Sequence, residues 1–252
     1  MKRLVIWLTW LCVASSVFWA AHSQAQTTSS LTLMSIAGLP SAELANRIMS
    51  AAYTKLGISI DIVPQPANRA LSMAVSGEAD GDMMRIAALD GRYSSLVQVP
   101  YPLLHGELRA ITQDPSITHW DLAALADKRI AIRRGVVIAE RATAGLRVTA
   151  IADSAQFIPM LERNRVDVLV ISNIAGIDPL ENADWSQLMV LDEVLAHFTL
   201  HHYLHRRHAE LAQPLADILA QMQLSGETEA ITSQFLKEIG QRESWLESAG
   251  VR

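Results

Sequence analysis

The prediction of the fold starts from residues 68–85, which read NRALSMAVSGEADGDMMR. RALSMAVS predicts a helix that ends at Gly77, because glycine adopts the left-handed conformation that commonly closes helices. Residues 80–86 then predict a strand, and the β-branched run ISIDIV before the helix predicts another. The unit is therefore strand, helix, strand, which is the motif that builds parallel sheets.

The same unit recurs in the second half of the chain. VTAIA predicts a strand, AQFIPMLER a helix that ends at Asn164, and VDVLVIS the next strand. The pattern M-x-x-x-G-x-x-D of residues 73–80 matches M-x-x-x-N-x-x-D of residues 160–167. We therefore predict an α/β fold with two lobes built on the same plan. The repeat keeps only one of the three carboxylates of residues 78–82, which indicates architecture rather than a metal site.

The N-terminus has the layout of a secretory signal peptide. MKR is followed by the apolar run LVIWLTWLCVASSVFWAA and then by the small and polar residues HSQAQ. We expect a signal peptide of residues 1–25 and export to the periplasm, with an uncleaved membrane anchor as the alternative. Cys12, the only cysteine, lies in this run. The exported part therefore has no disulfide, thiolate metal site or cysteine nucleophile.

Charge and length narrow the possible functions further. Without Lys2 and Arg3, 19 of the 21 basic residues remain against 26 acidic ones, a formal charge of −7. This charge argues against a nucleic-acid partner. The remaining chain of about 227 residues fits one large domain or two lobes of roughly 100 residues each.

A series of short motifs gives the chain a resemblance to a known family. They are Arg69-Ala70-Leu71, residues 76–81 (SGEADG), Trp120-Asp121-Leu122, residues 128–132 (KRIAI) with Gly135, Leu161 with residues 165–167, and Tyr203-Leu204-His205. In this order and spacing they resemble periplasmic solute-binding proteins of family 3, the polar amino acid type that serves ABC transporters. The resemblance implies a type II fold of two lobes, each a mainly parallel sheet flanked by helices, joined by two crossing hinge segments. Solute is held in the cleft, and the lobes close over it.

The resemblance also implies lobe boundaries and partners. Residues 26–110 and 196–252 would form lobe 1 and residues 111–195 lobe 2, with hinges near residues 107–111 and 193–197. The expected partners are a small-molecule solute and an inner-membrane ABC permease, and we expect a monomer that needs no cofactor or metal. The alternatives are a dehydratase-like periplasmic enzyme and a sensory module that docks on a membrane receptor. The sequence contains neither a Gly-x-Ser-x-Gly elbow nor a His-Glu-x-x-His pair, so catalysis has little support.

Candidate ligand-binding residues lie at the carboxyl ends of the predicted strands, where ligands of open α/β sheets bind. They are Ser35, Asn68, Arg69, Arg85, Tyr101, Arg134, Asp153, Ser154 and Asn173. By the resemblance, amino acid binders often place a carboxylate-gripping arginine near Arg85, and a guanidinium clamps a carboxylate bidentately. A surface or inter-lobe salt bridge is the alternative for Arg85. Asn68 also suits the N-cap of the helix that follows it, and capping is favoured there.

Three further assignments concern the second lobe. Arg133 and Arg134 alternate across a strand, so at most one of them faces the cleft. Asp153-Ser154 begins a helix where related binders often place an aspartate that receives an amino group, although these residue types also cap helices. Gly135 is followed by two valines, where amino acid binders of the family usually have threonine or serine. This departure argues against an ordinary amino acid as the ligand.

The histidines of AHFTLHHYLHRRH raise the alternative of a zinc site. His201, His205 and His208 would share a face if the segment were helical. Residues 198–204 read better as a strand, which places the adjacent residues His201 and His202 on opposite faces. We therefore expect no metal at this segment.

Overall fold

The computed structural model describes residues 30–87, 91–180 and 183–240. Its α-helices are α1 (Pro40–Lys55), α2 (Ala67–Ser76), α3 (Val137–Ala142), α4 (Phe157–Glu162), α5 (Ala212–Leu224) and α6 (Glu227–Glu238). Its strands are β1 (Leu31–Ile36), β2 (Ile60–Gln65), β3 (Gly81–Ile86), β4 (Leu96–Gln98), β5 (Leu104–Thr112), β6 (Arg129–Arg133), β7 (Arg147–Ile151), β8 (Val168–Ile174), β9 (Met189–Val190) and β10 (Ala196–His205). The predicted signal peptide, residues 1–25, lies outside the described residues. Within the described ranges, none of the helices has the length and apolar composition needed to span a bilayer.

Two long strands, β5 and β10, connect the two lobes. The sheet order is β2-β1-β3-β10-β5-β8-β6-β7, with β4 paired to β10 and β9 paired to β5. The outer strands β2, β1 and β3 are parallel to one another, as are β8, β6 and β7. β5 pairs with β10 over residues 104–108 and with β8 over residues 106–112. Because β10 also pairs with β3, the two strands connect the two sets of parallel strands, which confirms the predicted α/β class with two crossing segments.

Each lobe buries apolar side chains on both faces of its sheet. Leu33 and Met34 are adjacent on β1 and join different apolar cores, so α1 and α2 cover opposite faces of lobe 1. Helices α5 and α6 pack on the α1 side. In lobe 2 the adjacent residues Ile130 and Ala131 of β6 likewise join the two cores under α3 and α4.

The left-handed helix ends predicted from the repeat are confirmed. Gly77 follows α2 with a φ of 80°, and Asn164 follows α4 with a φ of 50°. In both turns a backbone N–H donates back to the methionine of the repeat, to the carbonyl of Met73 at 3.0 Å and to that of Met160 at 2.8 Å. Glycine and asparagine are the residues that tolerate this conformation best, which is why the turn was readable from sequence.

The aspartate of each repeat fastens the strand that follows to its neighbour. Asp80 Oδ2 accepts a hydrogen bond from the backbone N–H of Thr32 on β1 at 2.8 Å. Asp167 Oδ2 accepts one from the backbone N–H of Arg129 on β6 at 2.7 Å. Each aspartate also forms an ion pair at 2.6 Å, Asp80 with Arg207 and Asp167 with Arg129. The equivalent contacts in the two lobes identify these carboxylates as architecture.

The start of α2 differs from the prediction. The helix begins at Ala67, directly after Pro66, and no side chain caps it. Asn68 is therefore the second residue of the helix, and the capping role favoured for it is wrong. Pro66 has the extended backbone angles of an N-cap position, φ −55° and ψ 141°, so the chain turns into the helix two residues before Asn68.

Replacing Gly81 by alanine is expected to lower the free energy of unfolding by about 1–3 kcal/mol. A Cβ at this position would lie 2.3 Å from the backbone oxygen of Tyr203, which the β3–β10 pairing holds in place. Urea denaturation measures the loss. Gly106→Ala is the matched control: its Cβ would meet the half-buried ring of Phe198, which can move aside. A smaller loss for Gly81→Ala than for Gly106→Ala would contradict this account.

Candidate functional site

The carboxyl ends of the strands of both lobes meet along the crossing strands. β3 is antiparallel to β10 and its last residue, Ile86, lies opposite Leu200. β8 is antiparallel to β5 and its last residue, Ile174, lies opposite Gly106. Because β1 and β2 run parallel to β3, and β6 and β7 run parallel to β8, both sets of strand ends border the same region. This region between the lobes is the candidate binding cleft.

A cavity of about 270 Å³ lies on the crossing strands beside this region. It is lined by His105, Gly106, His197, Phe198 and Thr199. The lining combines two imidazoles and a hydroxyl with an aromatic ring. It therefore offers a small polar solute both hydrogen-bonding groups and an apolar surface.

Arg85 makes two hydrogen bonds within lobe 1. Its Nε donates to Asp82 Oδ2 at 2.8 Å, and its Nη2 donates to the carbonyl of Ala67 at 2.6 Å. The Asp82 side chain is fully buried and that of Arg85 is 12% exposed. The salt bridge of Arg85 is thus buried and lies within lobe 1, unlike the surface or inter-lobe salt bridge considered from the sequence. A ligand role for this residue stays a prediction.

A β-bulge explains how Asp82 and Arg85 meet although they are three residues apart on one strand. His201 lies opposite Arg85 and Tyr203 opposite Asp82, so β3 has one residue more than β10 between these pairs. Without the extra residue, positions three apart would project to opposite faces. Burial raises the pKa of Asp82, with the Arg85 guanidinium acting in the opposite direction.

The other lobe 1 candidates occupy different surroundings. Asn68 and Arg69 are exposed in the first turn of α2, next to the Ala67 carbonyl that Arg85 contacts. Ser35 is buried near the end of β1, and Tyr101 is half-buried against the lobe 1 core. The structure therefore groups Asn68, Arg69 and Arg85 at the start of α2.

Arg133, which was not chosen as a candidate from the sequence, differs from Arg134 in its surroundings. It ends β6 half-buried, and its Nη1 donates to the Ser154 hydroxyl oxygen at 2.7 Å, spanning the carboxyl ends of β6 and β7. Arg134, the candidate chosen from sequence, is exposed and donates to the carbonyl of Ala150 on β7 at 3.2 Å. The alternation of side chains along β6 predicts the orientation of Arg133, because Arg133 shares its face with Ala131, which packs against α4.

Asp153 caps the short 3₁₀-helix that precedes α4. Its Oδ1 accepts a hydrogen bond from the backbone N–H of Ala155 at 3.0 Å. The capping role considered for this residue is therefore present, while its role toward an amino group stays a prediction. Burial lowers the pKa of Arg133, and the nearby Asp153 charge opposes that shift.

A second polar cluster lies on the crossing strand β5. Glu107 Oε1 accepts hydrogen bonds from Arg109 Nε at 2.9 Å and from Asn173 Nδ2 at 3.1 Å. Arg109 also donates to the carbonyl of Asp192 at 3.0 Å. Burial raises the pKa of Glu107, but the bonds from Arg109 and Asn173 outweigh it and hold the pKa below its usual value. Asn173, a sequence candidate for the ligand, thus contacts the crossing strand.

Adjacent histidines of β10 project from opposite faces of the strand. His201 contacts the carbonyl of Val99 at 3.0 Å, whereas His202 contacts the hydroxyl of Tyr53 on α1 at 2.8 Å. His208 lies 2.7 Å from Asp80, outside the strand. The predicted strand and the opposite orientation of His201 and His202 are confirmed. In the described part of the chain, no group of three or more histidine, cysteine or acidic side chains is arranged to hold a metal ion.

Comparison by sequence assigns no family to the chain, since no family model matches it. An uncharacterized protein of Shewanella oneidensis is 28% identical in an alignment of 189 residues that covers 72% of this chain and 72% of that protein.

Solved structures with the same architecture are ligand-binding proteins. The substrate-binding protein of an amino acid ABC transporter has a TM-score of 0.64 at 15% identity, over 82% of this chain and 99% of that chain. The GluR0 ligand-binding core from Nostoc punctiforme, in complex with L-glutamate, has a TM-score of 0.67 at 12% identity, over 81% of this chain and 98% of that chain. AbpA from Streptococcus pneumoniae, an amino acid ABC transporter substrate-binding protein bound to L-arginine, has a TM-score of 0.64 at 15% identity, over 82% of this chain and 94% of that chain. Identities this low show the fold alone, which is the two-lobed type II periplasmic binding protein fold predicted from the sequence.

Proposed function

We propose that the chain is an exported solute-binding protein that holds a small polar or anionic solute between its lobes and delivers it to an inner-membrane ABC permease. The observation that carries this proposal is the pair of crossing strands, β5 and β10, at which the strand ends of both lobes converge. Such a connection allows the lobes to close over a solute by hinge motion. A solute drives closure only by its higher affinity for the closed form, so no chemical step is required.

The division into moving bodies follows the pairing of these strands. We place lobe 1 at residues 26–110 and 196–252 and lobe 2 at residues 111–195, with hinges near residues 107–111 and 193–197. Support comes from the pairing of β5, whose residues 104–108 pair with β10 and whose residues 106–112 pair with β8. The Glu107 cluster lies within the first hinge and would be rearranged when the lobes move.

The similar structures support a small solute. The proteins they represent bind L-arginine, L-glutamate or glutamine. Each of these ligands is polar and small enough to be enclosed between two lobes of this size. The similarity to amino acid ABC transporter proteins also supports the periplasmic location and the permease partner proposed for this chain.

The buried carboxylates give catalysis little support. Asp82 is the described carboxylate whose pKa lies above its usual value after all its contacts are considered, as a general acid requires. However, its side chain has no exposed surface and contacts Arg85, so a solute in the cleft does not reach it. We therefore propose binding rather than an enzymatic activity.

Solute binding is expected to stabilise and compact the mature chain. At a solute concentration 100 times Kd, the free energy of unfolding should rise by about 2.7 kcal/mol, because the solute binds only the folded state. Thermal-shift screening against amino acids, organic acids and polyamines identifies the solute, and small-angle X-ray scattering measures closure as a smaller radius of gyration. A chain that no small solute stabilises, and that instead converts a substrate, would contradict the proposal.

A further inference from the structure

Arg133 differs from the other partly buried arginines of the described chain in lacking an ion pair. Five described arginines are buried or half-buried. Four of them, Arg47, Arg85, Arg109 and Arg129, have a carboxylate oxygen at 3.3 Å or less. For Arg133, the contact found among the described residues is the hydrogen bond to the neutral Ser154 hydroxyl. A partly desolvated positive charge is therefore present at the cleft without a hydrogen-bonded carboxylate, and Asp153 is the negative charge that acts on it.

This arrangement is costly for the unliganded protein. Removing a guanidinium from water without pairing it loses hydration that a single hydroxyl does not replace. A guanidinium has five N–H donors in a planar fork, and Ser154 accepts from one nitrogen. The lowered pKa of Arg133, caused mainly by burial, agrees with incomplete compensation. An anion bound at this position would remove the cost.

Two carboxylates near the cleft, those of Glu107 and Asp153, already accept hydrogen bonds. Glu107 accepts one from Arg109. Asp153, whose charge acts on Arg133, accepts a hydrogen bond from the backbone N–H of Ala155. A solute ammonium group would have to displace or share one of these contacts. A solute anion would displace no carboxylate that is hydrogen-bonded to Arg133.

We infer that Arg133 anchors the anionic group of the solute, and that the solute is a small carboxylate or phosphate without an ammonium group. This inference rests on the proposed function and names the class of solute. Carboxylate or phosphate oxygens accept from the guanidinium fork in a bidentate manner, which a hydroxyl or an amide does less strongly. Arg133 is then the residue that determines specificity on the lobe 2 side of the cleft.

The class of solute is tested first with the wild-type mature chain. Lactate, succinate and inorganic phosphate are compared with L-glutamate, L-arginine and putrescine by thermal shift and calorimetry. At least one of the three amine-free anions should raise the melting temperature, while the amino acids and putrescine should not. The anions also distinguish a carboxylate from a phosphate as the group bound.

Arg133 is then tested with the anion that binds. Arg133→Gln should weaken its affinity at least tenfold, and Arg133→Lys, which keeps the charge but loses the fork, should weaken it less. Arg141→Gln, an exposed arginine on α3, is the control and should bind like wild type. The unliganded Arg133→Gln chain should melt at or above the wild-type temperature, because an uncompensated charge is removed. A merely structural arginine would instead lower that temperature.

The possible failures are distinguishable. An amino acid that binds as tightly as any amine-free anion overturns this inference and leaves the proposed function intact. Wild-type affinity in both Arg133 variants also overturns it. A wild-type chain that no member of the panel stabilises or compacts contradicts the inference and the proposed function together.

Discussion

Replacing Arg85 by methionine is expected to lower the free energy of unfolding by about 3–5 kcal/mol, which is the usual effect of breaking a buried ion pair from one side. Asp82 would stay in the interior, where its side chain is fully buried, without the guanidinium that contacts it at 2.8 Å. The Ala67 carbonyl at the start of α2 would lose its donor as well. Urea denaturation at pH 7 measures the loss against wild type.

Two variants separate this effect from a general loss of arginine. Arg69→Met removes an exposed arginine from the same segment and should change stability by less than about 0.5 kcal/mol. The double variant Asp82→Asn, Arg85→Met removes both charges and should recover a large part of the loss, because no charge is then left buried without a partner. If Arg85→Met instead unfolds like wild type but loses its solute, the arginine belongs to the cleft and the ion pair is dispensable.

The bulge in β3 explains why the pairing of Arg85 could not be predicted from sequence. Regular alternation places Asp82 and Arg85 on opposite faces of a strand, and only the extra residue in β3 brings them together. A bulge depends on the partner strand, here β10, which lies more than 100 residues further along the chain. No local pattern in residues 81–86 specifies it. The sequence therefore predicted the position of Arg85 at a strand end but not its partner.

The orientation of Arg133, in contrast, follows from the alternation of side chains along β6. Alternation along β6 puts Ile130 and Ile132 in one core and Ala131 in the other. Arg133 continues the series of Ala131, toward the side on which Ser154 begins the next helical segment. Arg134 lies beyond the end of the strand, where alternation no longer applies. The choice between the two arginines depended on knowing the last residue of β6.

The predictions that succeeded depend on local backbone chemistry or on periodicity. Glycine and asparagine readily adopt positive φ, so the residue types at positions 77 and 164 predicted the ends of α2 and α4. The order of strands and helices follows from the alternation of their patterns along the chain. The start of α2 was missed because Pro66 begins the helix without a capping side chain, which left Asn68 as the apparent cap.

Protonation of His202 is expected to give a large pH effect on stability. The His202 side chain is fully buried between α1 and β10, and burial lowers its pKa from 6.5 to about 4, although backbone groups of Met83 and Asp82 oppose the shift. Below pH 6.5 the unfolded chain therefore binds a proton that the folded chain does not bind until about pH 4. The free energy of unfolding should fall across this window by about 3 kcal/mol, or about 1.4 kcal/mol per pH unit.

The matched variant for this prediction is His202→Gln, which keeps a polar group near the Tyr53 hydroxyl but does not titrate. His202 Nε2 and the Tyr53 hydroxyl are hydrogen-bonded at 2.8 Å. Because burial raises the pKa of Tyr53, the phenol keeps its proton over the whole pH range of the experiment. Urea denaturation of both chains at several pH values between 7.5 and 4.5 isolates the contribution of His202, because every other titrating group is common to both. Their stability difference should stay constant above pH 7 and narrow as the pH falls below 6.5. Parallel curves over the whole range would contradict this prediction. They would mean that His202 is protonated equally easily in the folded and unfolded chains, although burial beside Tyr53 disfavours the charged imidazole.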